Sequence, residues 1–150
     1  MKNFSIQPAT EAHQPAIKAL IRTVGINPMG LKWQRFLVAL DESGTVIGCG
    51  QVKPHGDGSR ELASIAVVSE WRNQGIARAI IEALIAQHPL PLWLTCMSRL
   101  VVFYEQFGFV EVDNRHQMPP YFRRVTKLFP LYARLTSVNG YLAVMMIPAK

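Results

Sequence analysis

The order strand–helix–strand between residues 61 and 96 restricts the fold most. Residues 61–68 have the apolar, strand-like composition of a sheet segment. Gly75 to Gln87 then carries apolar residues at helical spacing, and Leu92 to Cys96 is a short apolar strand. Two strands that are joined through a helix pair in parallel, with a right-handed crossover. The segment therefore predicts a parallel strand pair covered by a helix.

The rest of the chain predicts antiparallel strands around this unit. Thr10 is a plausible N-cap for a helix that Gly25 ends. Turn residues separate the following apolar runs, which is typical of hairpins. The further predicted strands are Phe4–Ile6, Trp33–Leu40, Thr45–Val52, Phe109–Asp113 and Tyr141–Ile147. The further predicted helices are Ser98–Phe107 and Tyr121–Leu135. The second of these helices is expected to be broken or kinked at Pro130. We expect an α/β fold with a mixed, twisted sheet of about six to seven strands flanked by helices.

Size and composition are those of one globular domain. The chain has 150 residues, 49% of them hydrophobic and 17% charged, so residues 1–150 are predicted to form a single domain. No signal-type leader and no run of 18 apolar residues is present, and we expect a soluble, cytoplasmic protein. Cys49 and Cys96 lie in apolar runs without metal-type spacing and are predicted to be small buried side chains; no metal is expected.

The net charge of +6 indicates an affinity for anions but leaves their nature open. An ordinary basic surface, a nucleotide-like ligand and nucleic acid all agree with it. The sequence lacks the paired aromatic and basic strand motifs of an RNA-binding sheet and any helix-turn-helix pattern. Nucleic acid is therefore the least favoured of the three partners.

A candidate anion site lies between the strand at residues 61–68 and the helix that follows. There a polar loop ends at Gly75, and Ala77 is also small. Backbone N–H groups at a helix N-terminus attract anions, and small residues let a pyrophosphate approach. The segment is neither a P-loop nor a dinucleotide fingerprint. Tight packing of the helix on the sheet is the alternative explanation of the small residues.

Two motifs in this region resemble those of the GNAT superfamily of N-acetyltransferases. Arg72-Asn73-Gln74-Gly75-Ile76-Ala77 is similar to the Arg/Gln-x-x-Gly-x-Gly/Ala signature of that family. Phe103-Tyr104-Glu105-Gln106-Phe107-Gly108-Phe109 is similar to its Phe-Tyr-x-x-x-Gly-Phe stretch. Together they cover residues 61–113. The resemblance implies a single GNAT domain that transfers an acetyl group from acetyl-CoA to a primary amine by direct transfer.

The same resemblance implies residue roles in binding acetyl-CoA. The backbone of Ala66 and Val67 would pair with the pantetheine arm. The pyrophosphate would be held, mostly through amides, by Arg72, Asn73, Gln74, Gly75, Ile76 and Ala77. Tyr104 corresponds to a tyrosine near the CoA sulfur, where its hydroxyl could protonate the leaving thiolate. A buried tyrosine with a purely structural role is the alternative.

Glu61 is the candidate base for the amine, since some family members carry a catalytic glutamate on this strand. Regular alternation would place Glu61 on the same face as Val67 unless a bulge intervenes. A solvated glutamate beside Arg60 is the competing interpretation. His55 and His116 are weaker candidates and are expected to be surface histidines.

Several features depart from the family pattern or leave the function open. Met97 stands where many members have an asparagine, and Ser98 is expected to cap the next helix instead. The long segment before Tyr141 contributes to the acceptor pocket if it lies beside the cofactor cleft, and its basic residues are Arg123, Arg124, Lys127 and Arg134. A catalytically silent acyl-CoA-binding domain is the alternative function. The acceptor amine is not identified, and a homodimer is possible.

Overall fold

A computed structural model describes residues 2–136 and 139–150, with the side chains of residues 131–136 excepted. Contacts divide the chain into two compact units, which we describe separately. The first unit comprises Met1–Lys53 and Leu62–His88, and the second comprises Pro54–Glu61 and Pro89–Lys150. The prediction that residues 1–150 form one GNAT domain stays a prediction.

The elements follow the predicted order. The strands are β1 (Ser5–Pro8), β2 (Phe36–Leu40), β3 (Val46–Pro54), β4 (Arg60–Val67), β5 (Leu92–Met97), β6 (Val110–Glu111) and β7 (Leu142–Ile147). The α-helices are α1 (Gln14–Val24), α2 (Ile76–Gln87), α3 (Val101–Glu105) and α4 (Pro120–Thr136).

The strands form a seven-stranded mixed sheet in the order β1-β2-β3-β4-β5-β7-β6. The pairs β1–β2, β2–β3, β5–β7 and β6–β7 are antiparallel. Strand β4 pairs in parallel with β5, where Glu61 lies opposite Trp93. The predicted parallel pair and the predicted fold class are both confirmed.

In the first unit, α1 packs on one group of strands through its apolar face. Its start is fixed by the preceding turn, where the Thr10 N–H donates to His13 Nδ1 over 3.0 Å. Gly25 ends the helix in the left-handed conformation, with φ of 82°. The buried side chains of this core are Ile17, Leu20 and Ile21 of α1 with Phe36, Val38, Leu40, Cys49 and Ala66 of the strands.

Two glycines of β3 allow α2 to approach the sheet. A Cβ at Gly50 would lie 2.6 Å from Ile65 Cδ1 and 2.7 Å from Ile80 Cγ2. A Cβ at Gly48 would lie 2.8 Å from Ile76 Cγ2. Real side chains do not approach so closely, and overpacking of this kind typically costs about 1–3 kcal/mol. The first turns of α2 are therefore fixed against β3.

The second unit has its own apolar core. Trp93, Val112, Met118, Phe122 and Val144 are buried together, and the Trp93 and Phe122 rings are 5.5 Å apart. This cluster attaches the start of α4 to β5 and β7.

Three details of the sequence prediction are wrong. Residues 33–35 form a 3₁₀ turn, so β2 begins only at Phe36. Ser98 does not cap α3; its hydroxyl oxygen accepts the Tyr141 N–H over 3.3 Å, and a 3₁₀ turn precedes the helix. Helix α4 continues through Pro130, so the expected break is absent, while the alternative of a kink at Pro130 stays a prediction. Within the described residues, no helix has the length and apolar character needed to cross a membrane.

Candidate active site

The loop before α2 turns the chain so that the helix N-terminus is open. Asn73 and Gly75 both have positive φ, 63° and 82°, which reverses the chain twice within three residues. Gly75 is the N-cap, and no described side chain caps the helix there. The first α-helical bond runs from the Ala79 N–H to the Gly75 carbonyl over 3.0 Å. The N–H groups of Ile76 and Ala77 therefore have no acceptor within the helix.

The space at this helix end fits an anion. Apart from the glycine itself and its two chain neighbours, no described residue has an atom within 4 Å of a Cβ built on Gly75. Arg72 and Asn73 are exposed, Gln74 is half-buried, and Ile76 is buried under the helix. The first N–H groups of the helix, the positive end of its dipole and an exposed arginine together favour a phosphate group at this point.

The end of β4 leads directly into this loop. Ala66 is buried in the core against α1. The Val68 N–H donates to the Ile47 carbonyl of β3 over 2.9 Å. Because successive N–H groups of a strand point to opposite sides, the Val67 N–H points away from β3. A cleft of about 420 Å³ adjoins this strand end, lined by Ala16, Ala19, Leu20, Thr23, Val24, Val46, Val67, Val68, Ser69, Glu70 and Arg72.

Strand β4 is irregular at Ser64, whose φ is 61°. The Cys49 thiol lies 3.5 Å from the Ser64 carbonyl, and Gln51 Nε2 donates to the Ser64 hydroxyl over 2.8 Å. Burial raises the pKa of Cys49 to about 12, so the sulfur keeps its proton and acts as a donor. A left-handed residue within a strand interrupts its alternation. The expectation that Glu61 and Val67 share a face required a regular strand. Strand β4 is not regular, so this expectation no longer follows.

Glu61 is buried, with 6% of its surface exposed. Its Oε1 lies 2.9 Å from Nε2 of His55, whose side chain is only 14% exposed. The alternative of a solvated glutamate beside Arg60 is wrong, since Arg60 instead donates to the Pro89 carbonyl over 3.2 Å. The expectation that His55 is a surface histidine is also wrong. Burial of two polar side chains is tolerated here because each is paired.

Tyr121, at the start of α4, completes the surroundings of Glu61. Its ring stacks on His55 with centroids 3.6 Å apart and planes 16° apart. Burial raises the pKa of the Tyr121 phenol, as does its interaction with the Glu61 carboxylate. The phenol therefore stays protonated beside this carboxylate. In the sequence, Tyr121 marked only the start of a predicted helix.

Asp57 holds the same helix from the β3–β4 turn. Its Oδ2 accepts the Tyr121 N–H over 3.0 Å, and its Oδ1 accepts from the Ser59 hydroxyl and N–H. Burial would raise the pKa of Asp57, but these hydrogen bonds and the nearby His55 lower it to about 2. The first turn of α4 has no acidic residue of its own, so a distant turn supplies the anion at its N-terminus. The Pro-Pro sequence before Tyr121 marked the helix start but gave no indication of this partner.

Tyr104 lies on α3 in an aromatic environment, 5.1 Å from the Phe103 ring and 6.0 Å from the Phe109 ring. Burial, and secondarily Cys96, raise the pKa of Tyr104 to about 12. Tyr104 is half-buried, and no hydrogen bond joins its hydroxyl to another described residue. A protonated, unpartnered hydroxyl can donate to an incoming group.

Cys96 is buried, as predicted for a core residue, and its Sγ lies 3.9 Å from Met145 Sδ. Burial, with the charge of Glu111, raises the pKa of Cys96 to about 11. Glu111 itself accepts from the Tyr141 hydroxyl over 2.9 Å. The thiol is therefore protonated and poorly suited to a covalent acyl-cysteine route.

The basic residues of α4 differ in their surroundings. Arg123, Arg124 and Lys127 are exposed, and the side chain of Arg134 lies outside the described residues. The Arg123 carbonyl accepts from Arg115 Nη2 over 3.0 Å. The positive charge of Arg124 acts against the upward pKa shift of Tyr121, so Arg124 is near that phenol.

His116 and a possible metal site lie outside this arrangement. His116 is exposed in a 3₁₀ turn, and its N–H donates to the Asn114 side chain. The described part of the chain contains no cluster of three or more histidine, cysteine, aspartate or glutamate side chains able to hold a metal ion.

The seven-stranded mixed sheet, with its parallel β4–β5 pair and an open helix N-terminus after β4, defines the class of acyltransferases to which the sequence motifs pointed. Residues 32–111 match the model of the acetyltransferase (GNAT) domain. The chain belongs to this family and is an acetyl-CoA-dependent acyltransferase.

Similar solved structures agree on the fold. A protein from Mycobacterium tuberculosis, Rv2747, in complex with CoA has a TM-score of 0.73 and 21% identity, over 97% of this chain and 99% of that one. A GNAT-family acetyltransferase from Staphylococcus aureus has a TM-score of 0.69 and 14% identity, over 99% and 100%. N-acetylglutamate synthase from Neisseria gonorrhoeae, complexed with coenzyme A and N-acetyl-glutamate, has a TM-score of 0.72 and 17% identity.

The match to N-acetylglutamate synthase covers 98% of this chain but only 36% of that enzyme, so this chain spans about a third of its length. No curated protein sequence is significantly similar to this chain.

Proposed function

We propose that this protein is an N-acetyltransferase that moves the acetyl group of acetyl-CoA directly onto a primary amine. The observation that carries the proposal is the open N-terminus of α2, where Gly75 leaves the first N–H groups of the helix accessible. Arg72, Asn73, Gln74, Gly75, Ile76 and Ala77 would hold the pyrophosphate there. Ala66 and Val67 would pair with the pantetheine arm, and the orientation of the Val67 N–H supports this role.

Tyr104 would act as the general acid. Attack of the amine on the thioester carbonyl forms the C–N bond and breaks the C–S bond, and the departing sulfur needs a proton. Burial keeps the Tyr104 phenol protonated at neutral pH, with a pKa of about 12, and leaves its hydroxyl without a competing partner. These properties favour the acid role over a purely structural one.

Glu61 would act as the base. An alkylammonium with a pKa of about 10.4 has no free lone pair at neutral pH, so a proton must be removed before attack. A buried carboxylate paired with His55 is a reasonable acceptor for that proton. The silent acyl-CoA-binding alternative gives no reason for a paired buried carboxylate and an unpartnered phenol in the same unit.

The acceptor is inferred to be an amine that also carries a carboxylate or phosphate. Arg124 is exposed and close to the Tyr121 phenol, and a guanidinium binds such anions through paired hydrogen bonds. The N-acetyl-glutamate complex of the Neisseria enzyme supports an amino acid as one member of this class. A cytoplasmic location and a homodimer stay predictions.

The test is a thiol-release assay with acetyl-CoA and a panel of amines that differ in charge. We expect release with at least one anionic amine, and a large loss in Glu61→Gln and Tyr104→Phe. Binding of acetyl-CoA by calorimetry, with no release from any amine, would instead support the silent binding domain. Absence of binding at millimolar acetyl-CoA would refute both.

A further inference from the structure

Two side chains from different parts of the second unit lie near Glu61. His55, at the start of the β3–β4 turn, meets Oε1 through Nε2 at 2.9 Å. The phenol of Tyr121, the second residue of α4, interacts with the same carboxylate, and its ring stacks on His55. We propose that His55 is a positioning residue for Glu61, orienting the base toward the amine through the Nε2–Oε1 contact. The inference rests on the proposed function.

The position of the His55 ring is itself determined by packing. Its face lies on the Tyr121 ring at 3.6 Å, and its other contact is the edge of Phe122 at 5.9 Å. Phe122 is fully buried against Trp93. A ring stacked in this way loses its rotational freedom before the reaction, so its N–H is aimed at one carboxylate oxygen without an entropic cost during catalysis.

The backbone restrains the pair further. Asp57, two residues after His55, accepts the Tyr121 N–H over 3.0 Å. The stacked rings and this hydrogen bond therefore link the β3–β4 turn to Tyr121 at two points. The charge of Asp57 interacts with His55, and the charge of Arg124 acts on the Tyr121 phenol. The contact that orients the Glu61 carboxylate is the one between its Oε1 and Nε2 of His55.

Two substitutions of His55 separate its hydrogen bond from its ring. His55→Phe keeps a flat ring to stack on Tyr121 but has no N–H for Glu61. His55→Gln loses the ring, while its amide Nε2 can reach the carboxylate and donate. We expect kcat to fall about ten- to a hundredfold in His55→Phe, with KM for acetyl-CoA unchanged, and to recover to within about threefold of the parent in His55→Gln.

A role in packing alone predicts the reverse order. His55→Phe would then be nearly as active as the parent, and His55→Gln would be the impaired and less stable variant. That result would overturn the proposal. His116→Phe is the matched control, since His116 is exposed and outside this cluster, and should leave kcat within twofold. Thermal melts of each variant exclude unfolding as the cause of a loss in rate.

If His55→Phe does not fold, Tyr121→Leu tests the same arrangement from the other side. It removes the ring on which His55 stacks and should lower kcat without raising KM for acetyl-CoA. The control is Tyr121→Phe, which keeps a ring in the stack and should lower kcat less. Equal rates in both variants would overturn the proposal.

A double variant distinguishes this proposal from the proposed function. In a Glu61→Gln background, His55→Phe should cause no further loss of kcat, because a positioning residue acts only through its partner. Additive losses would refute positioning and leave acetyl transfer intact. A fully active Glu61→Gln would instead refute the role of Glu61 as the base, and with it the positioning role of His55.

Discussion

Substitution of Gly75 by glutamate or glutamine separates the two contributions of this glycine. Its φ of 82° disfavours any residue with a Cβ, and beyond its chain neighbours no described residue has an atom within 4 Å of a Cβ built there. Both variants therefore have the same backbone strain and no clash within the protein. They differ by one negative charge at the point where we propose that the pyrophosphate binds.

The magnitudes follow from the backbone and from Coulomb's law. A left-handed conformation costs a non-glycine residue about 1–2 kcal/mol, which lowers Tm by about 2–8 °C in a protein of this size. The glutamate should recover about 0.3–1 kcal/mol from the helix dipole, so Gly75→Glu melts slightly above Gly75→Gln. Two unit charges about 4 Å apart repel by roughly 1–4 kcal/mol between water and a protein surface, or about five- to a thousandfold in affinity.

The assay is thermal unfolding and calorimetry with and without acetyl-CoA. Ligand at about 100 times Kd should stabilise the parent by about 2.7 kcal/mol, and most of this gain should disappear in Gly75→Glu. Gly25→Glu is the control for strain, because Gly25 has the same φ and equal space but ends α1. Equal acetyl-CoA affinity in the parent and both Gly75 variants would refute the proposed pyrophosphate site.

Three further predictions use other residues. Tyr104→Phe should lower kcat about ten- to a thousandfold and leave KM for acetyl-CoA nearly unchanged. Its Tm should not fall, because the Tyr104 hydroxyl has no described partner to lose. An equal loss of acetyl-CoA binding would indicate that Tyr104 has a packing role. Asp57→Asn should lower Tm at pH 7, because the folded pKa of about 2 lies below the ordinary aspartate value of 3.8. The stabilisation is present above pH 3.8 and is lost as the pH falls through 2. A difference in Tm that persists at pH 1.5 would contradict this. Arg124→Ala should raise KM for an anionic amine severalfold and leave KM for a neutral amine unchanged, and Arg123→Ala is the control. A change in KM for acetyl-CoA instead would assign Arg124 to the donor site.

The sequence by itself determined the elements and the family. Apolar spacing at period 3.6 and residues that favour turns are local properties, so α1, α2 and the order of the strands followed from short windows of sequence. The loop before α2 was also recognisable, because Gly75 is required for a left-handed N-cap whatever surrounds it. These features need no information about distant residues.

Local patterns failed where a residue's conformation depends on a neighbouring strand. Ser64 is left-handed although serine has no strong preference for that region, and the two side chains that contact it belong to β3. An alternation rule that is applied along β4 alone does not detect this. For that reason, the expectation that Glu61 and Val67 lie on the same face of β4 does not follow.

Only the tertiary structure decided the environment of the candidate base. Asp57 and Tyr121 are 64 residues apart, and the turn that carries His55 meets Tyr121 because the apolar core of Trp93 and Phe122 brings α4 there. A histidine that looks like a surface residue in the sequence is thereby buried against a carboxylate. Burial and pairing are set by contacts between distant segments, and these contacts determine whether a carboxylate is solvated or held in place for chemistry.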